Sequence, residues 1–306
     1  MPVRTIAIVT EARSSYGYFR PIARLIDDEP GLDYRLIVVG QHLLPDFGYS
    51  VEEIERDGIR IADRLYCTLD GYTPATMNKS LGVLLLALTD SYVRLKPDVV
   101  LILGDRGESM MAALGAAQMN IPVAHVQAGE RSGNIDGVTR HAITRFAHLH
   151  FASGPDATER LRRMGEEEFR IHMTGAPQLD ELVNGDLAPA DEVAERFKLD
   201  LSQPVILVVQ HPVTDSFGSG VDEMRETMEA LCELGHQSVL IFPNTDAGSS
   251  DLRVMIERYR KPFMRIERNV SRRLYGGLMQ VASALVGNSS SGVIEAPALR
   301  LPAVNV

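Results

Sequence analysis

The sequence predicts an α/β protein with two doubly wound parallel sheets. Apolar runs of strand length alternate with longer segments of helical periodicity along the whole chain. A polar stretch at 185–203 interrupts this alternation, which then restarts. We therefore expect an N-terminal Rossmann-like domain at 1–184, a linker at 185–203 and a C-terminal Rossmann-like domain at 204–306, with the two domains facing a cleft.

The individual elements follow from hydrophobic periodicity. DVVLILGD (98–105) and PVILVVQH (204–211) are continuous apolar runs, as expected for strands that are buried on both faces. The other predicted strands are 5–10, 33–40, 121–127, 148–154, 169–175, 237–244, 263–268 and 281–288. The predicted helices are 20–28, 50–57, 80–96, 109–120, 138–148, 155–164, 221–235, 251–260, 271–280 and a last one after Ser291.

Composition excludes several classes of protein. The 306 residues include 31 basic and 41 acidic ones, and the net charge of −10 argues against non-specific binding to nucleic acid or to an anionic membrane. The longest apolar run, at 81–89, is far shorter than a membrane span, and the N-terminus lacks a signal-peptide core. Two distant cysteines, Cys67 and Cys232, are typical of reduced thiols. These features indicate a cytoplasmic protein.

Ligands of doubly wound sheets bind beyond the carboxyl ends of the strands, so the residues that directly follow apolar runs are candidates for a site. Arg13 follows the first strand and could hold a diphosphate, or it could be a solvated arginine at a helix start. Asp105, Arg106 and Glu108 follow a later strand. Asp105 could point toward the ligand, but Asp105 or Ser109 could equally cap the next helix.

The densest group of ionisable residues lies in the segment 124–148. Its glycines allow tight folding of the loop, and its carboxylates, together with Asp105, suit proton abstraction and donation. The alternative is a loop that is held by ordinary salt bridges. Six ionisable residues of the segment fall within 17 positions, namely His125, Glu130, Arg131, Asp136, Arg140 and His141.

Three further candidates follow strands of the second half. His211, held in an extended conformation by the next proline, could donate to a phosphate or a hydroxyl group, or be an ordinary loop histidine. Asn244 and Asp246 follow the next strand, although such residues also form turns.

The stretch GNSSSGVIEAP (287–297) joins a strand to a helix. Free N–H groups at a helix start, serine hydroxyls and glycines together favour a nucleotide phosphate site. Glu295 would repel a phosphate and suits ribose hydroxyls instead. The alternative is a serine cap with an acid in the first turn. The sequence contains no Cys/His metal cluster, no Walker A, GxGxxG or GxSxG pattern.

Together, these segments resemble the hydrolysing UDP-N-acetylglucosamine 2-epimerases, a family that includes enzymes of sialic-acid and legionaminic-acid biosynthesis. The resemblance implies the glycosyltransferase-B type of fold, with two Rossmann-like domains. Its motifs occur in family order and span nearly the whole chain. They are GDRGE (104–108), HVQAGERSGNID (125–136), RHAITRFAHLHF (140–151), GAPQLD (175–180), QHPVT (210–214), FPNTDAGS (242–249) and GNSSSGVIEAP (287–297).

The resemblance also implies roles for particular residues. Ser289 and Ser290 would contact the diphosphate of UDP, and Glu295 its ribose. The remaining binding residues would be Arg13, Arg106 and Asn244, and the catalytic ones Asp105, Gln127, Glu130, Asp136, Arg140 and His211. No cofactor is required, and the one ion that we consider is Mg²⁺, as a partner of the diphosphate. The expected assembly is a homo-oligomer, a dimer or a tetramer.

The implied reaction eliminates UDP from UDP-N-acetylglucosamine, or from a UDP-2,4-diacetamido sugar, to give a 2-acetamidoglucal. Addition of water then yields free N-acetylmannosamine or a close analogue. Three alternatives stay open: a non-hydrolysing 2-epimerase, because HVQAG is similar to that group's H-V-E-A-G; a non-catalytic nucleotide-sugar-binding relative; and a glycosyltransferase of the same fold.

The chain departs from the family pattern in three places. Its first loop reads EARSSYG where the family commonly has G-T-R-A-E/D-Y-G, so that Glu11 replaces a glycine and Ser15 an acid. Gln127 stands where some relatives carry a glutamate, and a glutamine cannot act as a base. The sequence ends at Val306, whereas family members continue, so we expect the C-terminal end to be truncated.

Overall fold

The computed structural model describes residues 2–133, 135–185, 187–212 and 220–306. Contacts between Cα atoms divide it into two compact units. The first unit extends to Pro177, except for the short segments Asp46–Gly48 and Gly71–Pro74. These segments group with the second unit, which otherwise begins at Gln178. Each unit is built on one parallel sheet, as the sequence predicts.

The first unit contains a seven-stranded parallel sheet of order β3-β2-β1-β4-β5-β6-β7. Chain order reverses between β1 and β4, which lie side by side. The strands are β1 (Arg4–Thr10), β2 (Leu32–Val39), β3 (Ile61–Leu65), β4 (Val99–Leu103), β5 (Val123–Val126), β6 (Leu149–Ala152) and β7 (Ile171–Met173).

Helices cover both faces of this sheet. Side chains alternate along a strand, so Val100 and Ile102 of β4 pack into one core, and Leu101 and Leu103 into another. Burial on both faces explains why the strand is a continuous apolar run. The helices are α1 (Arg13–Asp27), α2 (Val51–Arg56), α3 (Pro74–Leu95), α4 (Gly107–Gln118), α5 (Ile135–Phe146) and α6 (Pro155–Arg163).

The second unit contains a five-stranded parallel sheet of order β10-β9-β8-β11-β12. Side chains of its central strand β8 again pack into two cores, Leu207 and Val209 on one face of the sheet and Ile206 and Val208 on the other. The strands are β8 (Val205–Val209), β9 (Gln237–Ile241), β10 (Met264–Glu267), β11 (Ala284–Gly287) and β12 (Ala303–Asn305). The helices are α7 (Gln178–Asn184), α8 (Ala190–Phe197), α9 (Gly220–Leu234), α10 (Ser249–Tyr259), α11 (Arg272–Val281) and α12 (Ser291–Ile294).

Several features differ from the sequence-based expectations. Helix α7 and strand β12 were not predicted, and the second unit begins at Gln178 rather than after 184. Helix α1 begins at Arg13 rather than at Arg20, and strand β3 has no counterpart among the predicted elements. The segment that was expected to be a linker, 185–203, contains α8, whose Val193 and Phe197 are buried in the same core as β8. It is therefore part of the second unit rather than a separate connection.

Two properties of the described residues bear on the predicted class of protein. No helix among them combines the length and the apolar composition that crossing a membrane requires. Both cysteines are free thiols, with Cys67 buried and Cys232 partly buried.

Candidate functional site

Polar residues converge where the central strands of the first unit end. Chain order reverses between β1 and β4, and such a reversal is the position at which open α/β sheets hold ligands. Glu11 follows β1 directly, and Asp105 and Arg106 follow β4. The structure therefore places Asp105 and Arg106, which the sequence predicts for one site, at the same sheet edge as Glu11, which was not among the predicted site residues.

Arg140 is the centre of a charged cluster at this edge. Its side chain projects from α5 and is only 6% exposed. One terminal nitrogen pairs with the carboxylate of Asp105, and the other donates to the carbonyl oxygen of Gln127 at 2.7 Å. One guanidinium thus connects the end of β4 to the loop that follows β5.

The same guanidinium serves a second carboxylate. Its Nη1 lies 3.8 Å from Oε2 of Glu130. The Ser132 hydroxyl donates to Asp105 at 3.1 Å, and the Ser153 hydroxyl donates to Glu130. The two carboxylates therefore share one buried cation, and each also accepts a hydrogen bond from a serine. Asp136 lies nearby in sequence, half-buried in the first turn of α5.

Gln127 shapes the loop rather than presenting an acid or a base. Its backbone is in the left-handed region, with φ of 58°, and its side-chain amide donates to the Tyr18 hydroxyl at 3.2 Å. Two residues further, a Cβ at Gly129 would lie 2.5 Å from the carbonyl oxygen of Ala157, so that only glycine fits against α6. The loop is consequently held on both sides of Ala128.

His125 supports the end of β4 from inside the sheet. It is fully buried, and its Nε2 donates to the carbonyl oxygen of Gly104 at 2.7 Å. Burial lowers the pKa of His125 to about 3, so the ring is neutral at physiological pH. It acts on the position of Asp105 through Gly104 and does not supply a proton.

The first loop places a carboxyl group at the edge of the same sheet. Glu11 is 2% exposed, and the hydroxyl of Ser15 fastens the turn after it by donating to the carbonyl oxygen of Ala12 at 2.7 Å. The Glu108 carboxylate lies beside this turn and is 3.4 Å from Nε of Arg106. Arg13 is half-buried as the first residue of α1, and Arg106 precedes α4.

A network of backbone and amide groups occupies the corresponding edge of the second unit. The N–H of His211, after β8, donates to Oδ1 of Asn288 at 2.8 Å, and Asn288 Nδ2 donates back to the carbonyl oxygen of His211 at 2.9 Å. The N–H of Asn244, after β9, donates to Nδ1 of His211 at 3.2 Å. His211 therefore carries its ring proton on Nε2. Val213 and Thr214 of the QHPVT motif lie outside the described residues.

Glu295 is ordered by two neighbours that the sequence does not identify. Its Oε1 lies 2.5 Å from Nη1 of Arg272, and its Oε2 accepts from the Ser291 hydroxyl at 2.5 Å. Arg272 also lies 3.8 Å from Glu181. The carboxylate that was expected to bind ribose is thus 6% exposed, and its two oxygens already have protein partners.

The loop that carries Ser289 and Ser290 differs from the expected helix start. Helix α12 is a single turn from Ser291 to Ile294, followed by a 3₁₀ turn, so its dipole contributes less than that of a full helix. A Cβ at Gly287, where φ is 137°, would lie 2.0 Å from the carbonyl oxygen of Val209. This glycine is required for close packing within the protein, and its role in the approach of a phosphate stays a prediction.

The comparison with known proteins agrees with this arrangement of motifs. A profile of the UDP-N-acetylglucosamine 2-epimerase family matches residues 24–306. The chain belongs to this family. It is 35% identical over 305 residues to the UDP-N,N′-diacetylbacillosamine 2-epimerase (hydrolyzing) of Legionella pneumophila, which covers 99% of this chain and 81% of the relative.

Two further similarities are consistent with membership of the family. The GDP/UDP-N,N′-diacetylbacillosamine 2-epimerase (hydrolyzing) of Campylobacter jejuni is 30% identical over 312 residues, covering the whole chain and 81% of the relative. The crystal structure of UDP-GlcNAc 2-epimerase from Neisseria meningitidis bound to UDP-GlcNAc has a TM-score of 0.78 at 17% identity, covering 98% of this chain and 82% of that one. This likeness confirms the predicted fold class.

Sequence reasoning missed three features of the candidate site. The Ser291–Glu295 pair had a signal, because residues four apart on a helical turn face each other. Arg272 and Ser153 had none, because each meets its carboxylate partner only through the fold. No group of three or more His, Cys, Asp or Glu side chains in the described part of the chain could hold a metal ion. Mg²⁺ bound through a diphosphate stays a prediction.

Proposed function

We propose that this member of the family is a hydrolysing 2-epimerase of a UDP-2-acetamido sugar. The observation that carries the proposal is the similarity, over nearly the full chain, to two relatives that are named as hydrolysing enzymes. Their names point to a UDP-2,4-diacetamido sugar, so this substrate is preferred over UDP-N-acetylglucosamine.

The charged cluster of the first unit suits the elimination step. Asp105 removes the proton from C2 of the sugar as the C1–O bond breaks, and the electron pair of that bond leaves with UDP. The product is a 2-acetamidoglucal with a C1–C2 double bond. Arg140 orients Asp105, because its buried guanidinium contacts the carboxylate directly.

Hydration completes the reaction. Water adds its oxygen to C1, and a proton returns to C2 on the opposite face, which inverts that centre. Glu130 and Asp136 are the candidates for this second proton transfer, and Gln127 has no part in it because a carboxamide does not titrate. The products are free UDP and a free 2-epimeric sugar.

The second unit suits the nucleotide. Ser289 and Ser290 offer hydroxyl donors for the diphosphate, Asn244 offers an amide, and His211 offers the N–H at Nε2, since its Nδ1 accepts from the Asn244 backbone. Glu295 takes the ribose hydroxyls through the lone pairs that Arg272 and Ser291 leave available. Arg13 and Arg106 supply positive charge for the leaving group.

The test is product analysis in D2O. The protein is incubated with UDP-N-acetylglucosamine and, separately, with a UDP-2,4-diacetamido-6-deoxy sugar, and the products are identified by NMR. We expect free UDP, a free sugar and deuterium at C2. A UDP-sugar product would assign the non-hydrolysing reaction instead. Tight UDP binding without turnover of either sugar would assign a non-catalytic binding protein.

A further inference from the structure

Glu11 occupies the position in the first unit where a ligand-binding residue is most expected. It follows β1, at the reversal of chain order between β1 and β4. Its backbone is fixed by two hydrogen bonds. The carbonyl oxygen of Glu11 accepts from the N–H of Gln41 at 2.9 Å, and the N–H of Glu11 donates to the Ser15 hydroxyl at 3.2 Å. Neighbouring strand ends therefore hold the backbone of Glu11 while its side chain extends among them.

The carboxyl group of Glu11 is buried and incompletely satisfied. The residue is 2% exposed, and Oε2 has no hydrogen-bond partner among the described residues. A buried polar atom without a partner costs free energy, and native proteins keep few of them. Gly40, after β2, packs closely against Glu11, since a Cβ there would lie 3.0 Å from the Glu11 carbonyl oxygen, 3.6 Å from Glu11 Cβ and 3.5 Å from Glu108 Oε1.

The groups around Glu11 come from four elements. Glu108 and Arg106 face it from the start of α4. Ser15 and Arg13 belong to α1, His42 lies in the turn after β2 and is linked through Thr10, and Cys67 follows β3. Burial, reinforced by the Glu108 charge and opposed by Arg106, raises the pKa of Glu11 to about 8. Glu11 is therefore a neutral acid at pH 7, with an O–H to donate.

We propose that Glu11, as a neutral carboxylic acid, donates a hydrogen bond to a phosphate oxygen of the nucleotide-sugar substrate. The proposal rests on the proposed function, because it takes the ligand to be a nucleotide sugar. A phosphate fits better than a neutral sugar oxygen because Arg106 places a cation beside the carboxyl group. An ionised Glu11 would repel the phosphate, so its proton is a condition of binding.

The residue also changes what the first loop can recognise. The glycine that the family commonly has at this position offers no side chain. Glu11 adds one hydrogen-bond donor, the carboxyl O–H, which is present only at pH values below the pKa of Glu11. UDP affinity should therefore fall at alkaline pH, as ionisation of Glu11 replaces a donor by a charge. Above the midpoint the dissociation constant should rise tenfold per pH unit if only the protonated form binds.

The test measures UDP binding by calorimetry between pH 6.5 and 9.5. The variants are Glu11→Gln, which keeps a donor that cannot ionise, and Glu53→Gln, a control at another buried glutamate of the first unit. For the wild type and E53Q we expect the dissociation constant to climb about tenfold more than for E11Q between pH 8 and 9.5. Ionisation of the uracil ring affects all three proteins equally and cancels in the comparison.

A second measurement uses the wild type alone, in case E11Q does not fold. At pH 8.5, titrations in buffers of different ionisation enthalpy count the protons that UDP binding takes up. We expect an uptake that approaches one proton per UDP. No uptake, or equal pH profiles for the wild type and E11Q, overturns the role of Glu11.

The two proposals fail in different ways. Proton-linked UDP binding without conversion of either UDP-sugar removes the proposed enzymatic function and leaves Glu11 as a phosphate-binding residue. If the protein converts a UDP-sugar but its UDP affinity does not depend on pH, the proposed enzymatic function stands and the role of Glu11 is wrong. No UDP binding at any pH removes both.

Discussion

The carboxyl edges of the two sheets are built from different chemistry. In the first unit, Asp105 and Glu130 share the buried guanidinium of Arg140, and Glu11 is enclosed beside them. In the second unit, the strand ends are joined by neutral groups, with His211 and Asn288 exchanging hydrogen bonds through backbone and amide atoms.

The difference shows how one architecture can separate two tasks. Buried charges are suited to moving protons, because their energies depend strongly on protonation. Neutral amides and hydroxyls are suited to orienting a ligand without titrating near neutral pH. Two carboxylates of the second unit are exceptions: Asp246, which accepts from the Asn244 side-chain amide at 2.6 Å, and Glu295, which Arg272 and Ser291 hold in place.

The largest expected effect comes from removing the charge of Asp105. Asp105→Asn should lower turnover by about 10³-fold or more, because an amide cannot abstract a proton, while UDP affinity changes only a few-fold. Steady-state kinetics and calorimetry measure the two quantities. Asp33→Asn, at a carboxylate paired with Arg35 and Arg60 at the amino end of β2, opposite the carboxyl edge of the sheet, is the control and should leave turnover unchanged. Equal losses of binding and turnover would remove Asp105 from its role.

Acid should destabilise the first unit before the second. Burial lowers the pKa of His42 and of His125 to about 3 from 6.5, so below pH 6.5 the unfolded chain takes up protons that the folded unit cannot. The contribution of the two histidines is complete above pH 6.5 and falls toward pH 3 by up to about 1.4 kcal/mol per pH unit for each. The raised pKa of Glu11 acts in the opposite direction between pH 8 and 4.5 and offsets the equivalent of one histidine, so a net loss of stability remains.

Hydrogen exchange, corrected for intrinsic rates, measures this difference strand by strand. Protection of β1 and β5 should decline between pH 6.5 and 4.5 while that of β8 and β9 is retained. His42→Gln should remove part of the decline, and His236→Gln, at an exposed histidine of the second unit, should have no effect. An equal decline of protection in the strands of both units would contradict the expected difference in acid stability between the units.

A smaller effect is expected from Gly287→Ala. The new Cβ would lie 2.0 Å from the carbonyl oxygen of Val209 at a φ of 137°, so the second unit should lose about 3 kcal/mol of unfolding free energy. Gly235→Ala is the matched control, since its φ is also positive, at 65°, but no atom lies within 4 Å. It should cost about 1 kcal/mol in urea denaturation. If both variants lose the same unfolding free energy, the backbone of Val209 must move away from the new Cβ readily.

The smallest effect concerns Ser291. Ser291→Ala removes the donor to Glu295 and should weaken UDP binding about fivefold to tenfold, in line with one hydrogen bond to a charged group. Binding of 2′-deoxy-UDP should weaken less, because the carboxylate acts on ribose hydroxyls. Ser250→Ala, at an exposed serine of α10, is the control. Equal losses for both nucleotides would place the effect elsewhere than at the ribose.

Much of the fold could be predicted because buried parallel strands are apolar on both faces. The runs at β4 and β8 gave their positions directly. Strand β3, IADRL, was missed because its burial is only partial at the edge of the sheet. Helix α1 was shortened because ARSSYG reads as a loop, while in the structure Ser15 and Tyr16 are buried against the end of the first strand.

The site residues were predictable where one rule applied, namely polar residues after strands. Asp105, His211 and Asn244 all follow strands, as that rule requires. The partners of site carboxylates were harder to predict from the sequence, because Arg140 lies 35 residues from Asp105 and Arg272 contacts Glu295 from another helix. Hydrogen bonds of this kind depend on tertiary packing and leave no local pattern.

Arg140 has a consequence for how substitutions combine. Because one guanidinium joins the carboxylate after β4 to the carbonyl of Gln127 after β5, neither strand end can shift alone without exposing a cation in a buried place. Changes at Asp105 and Glu130 are therefore energetically coupled, and the free energies of the two single changes do not sum to that of the double change.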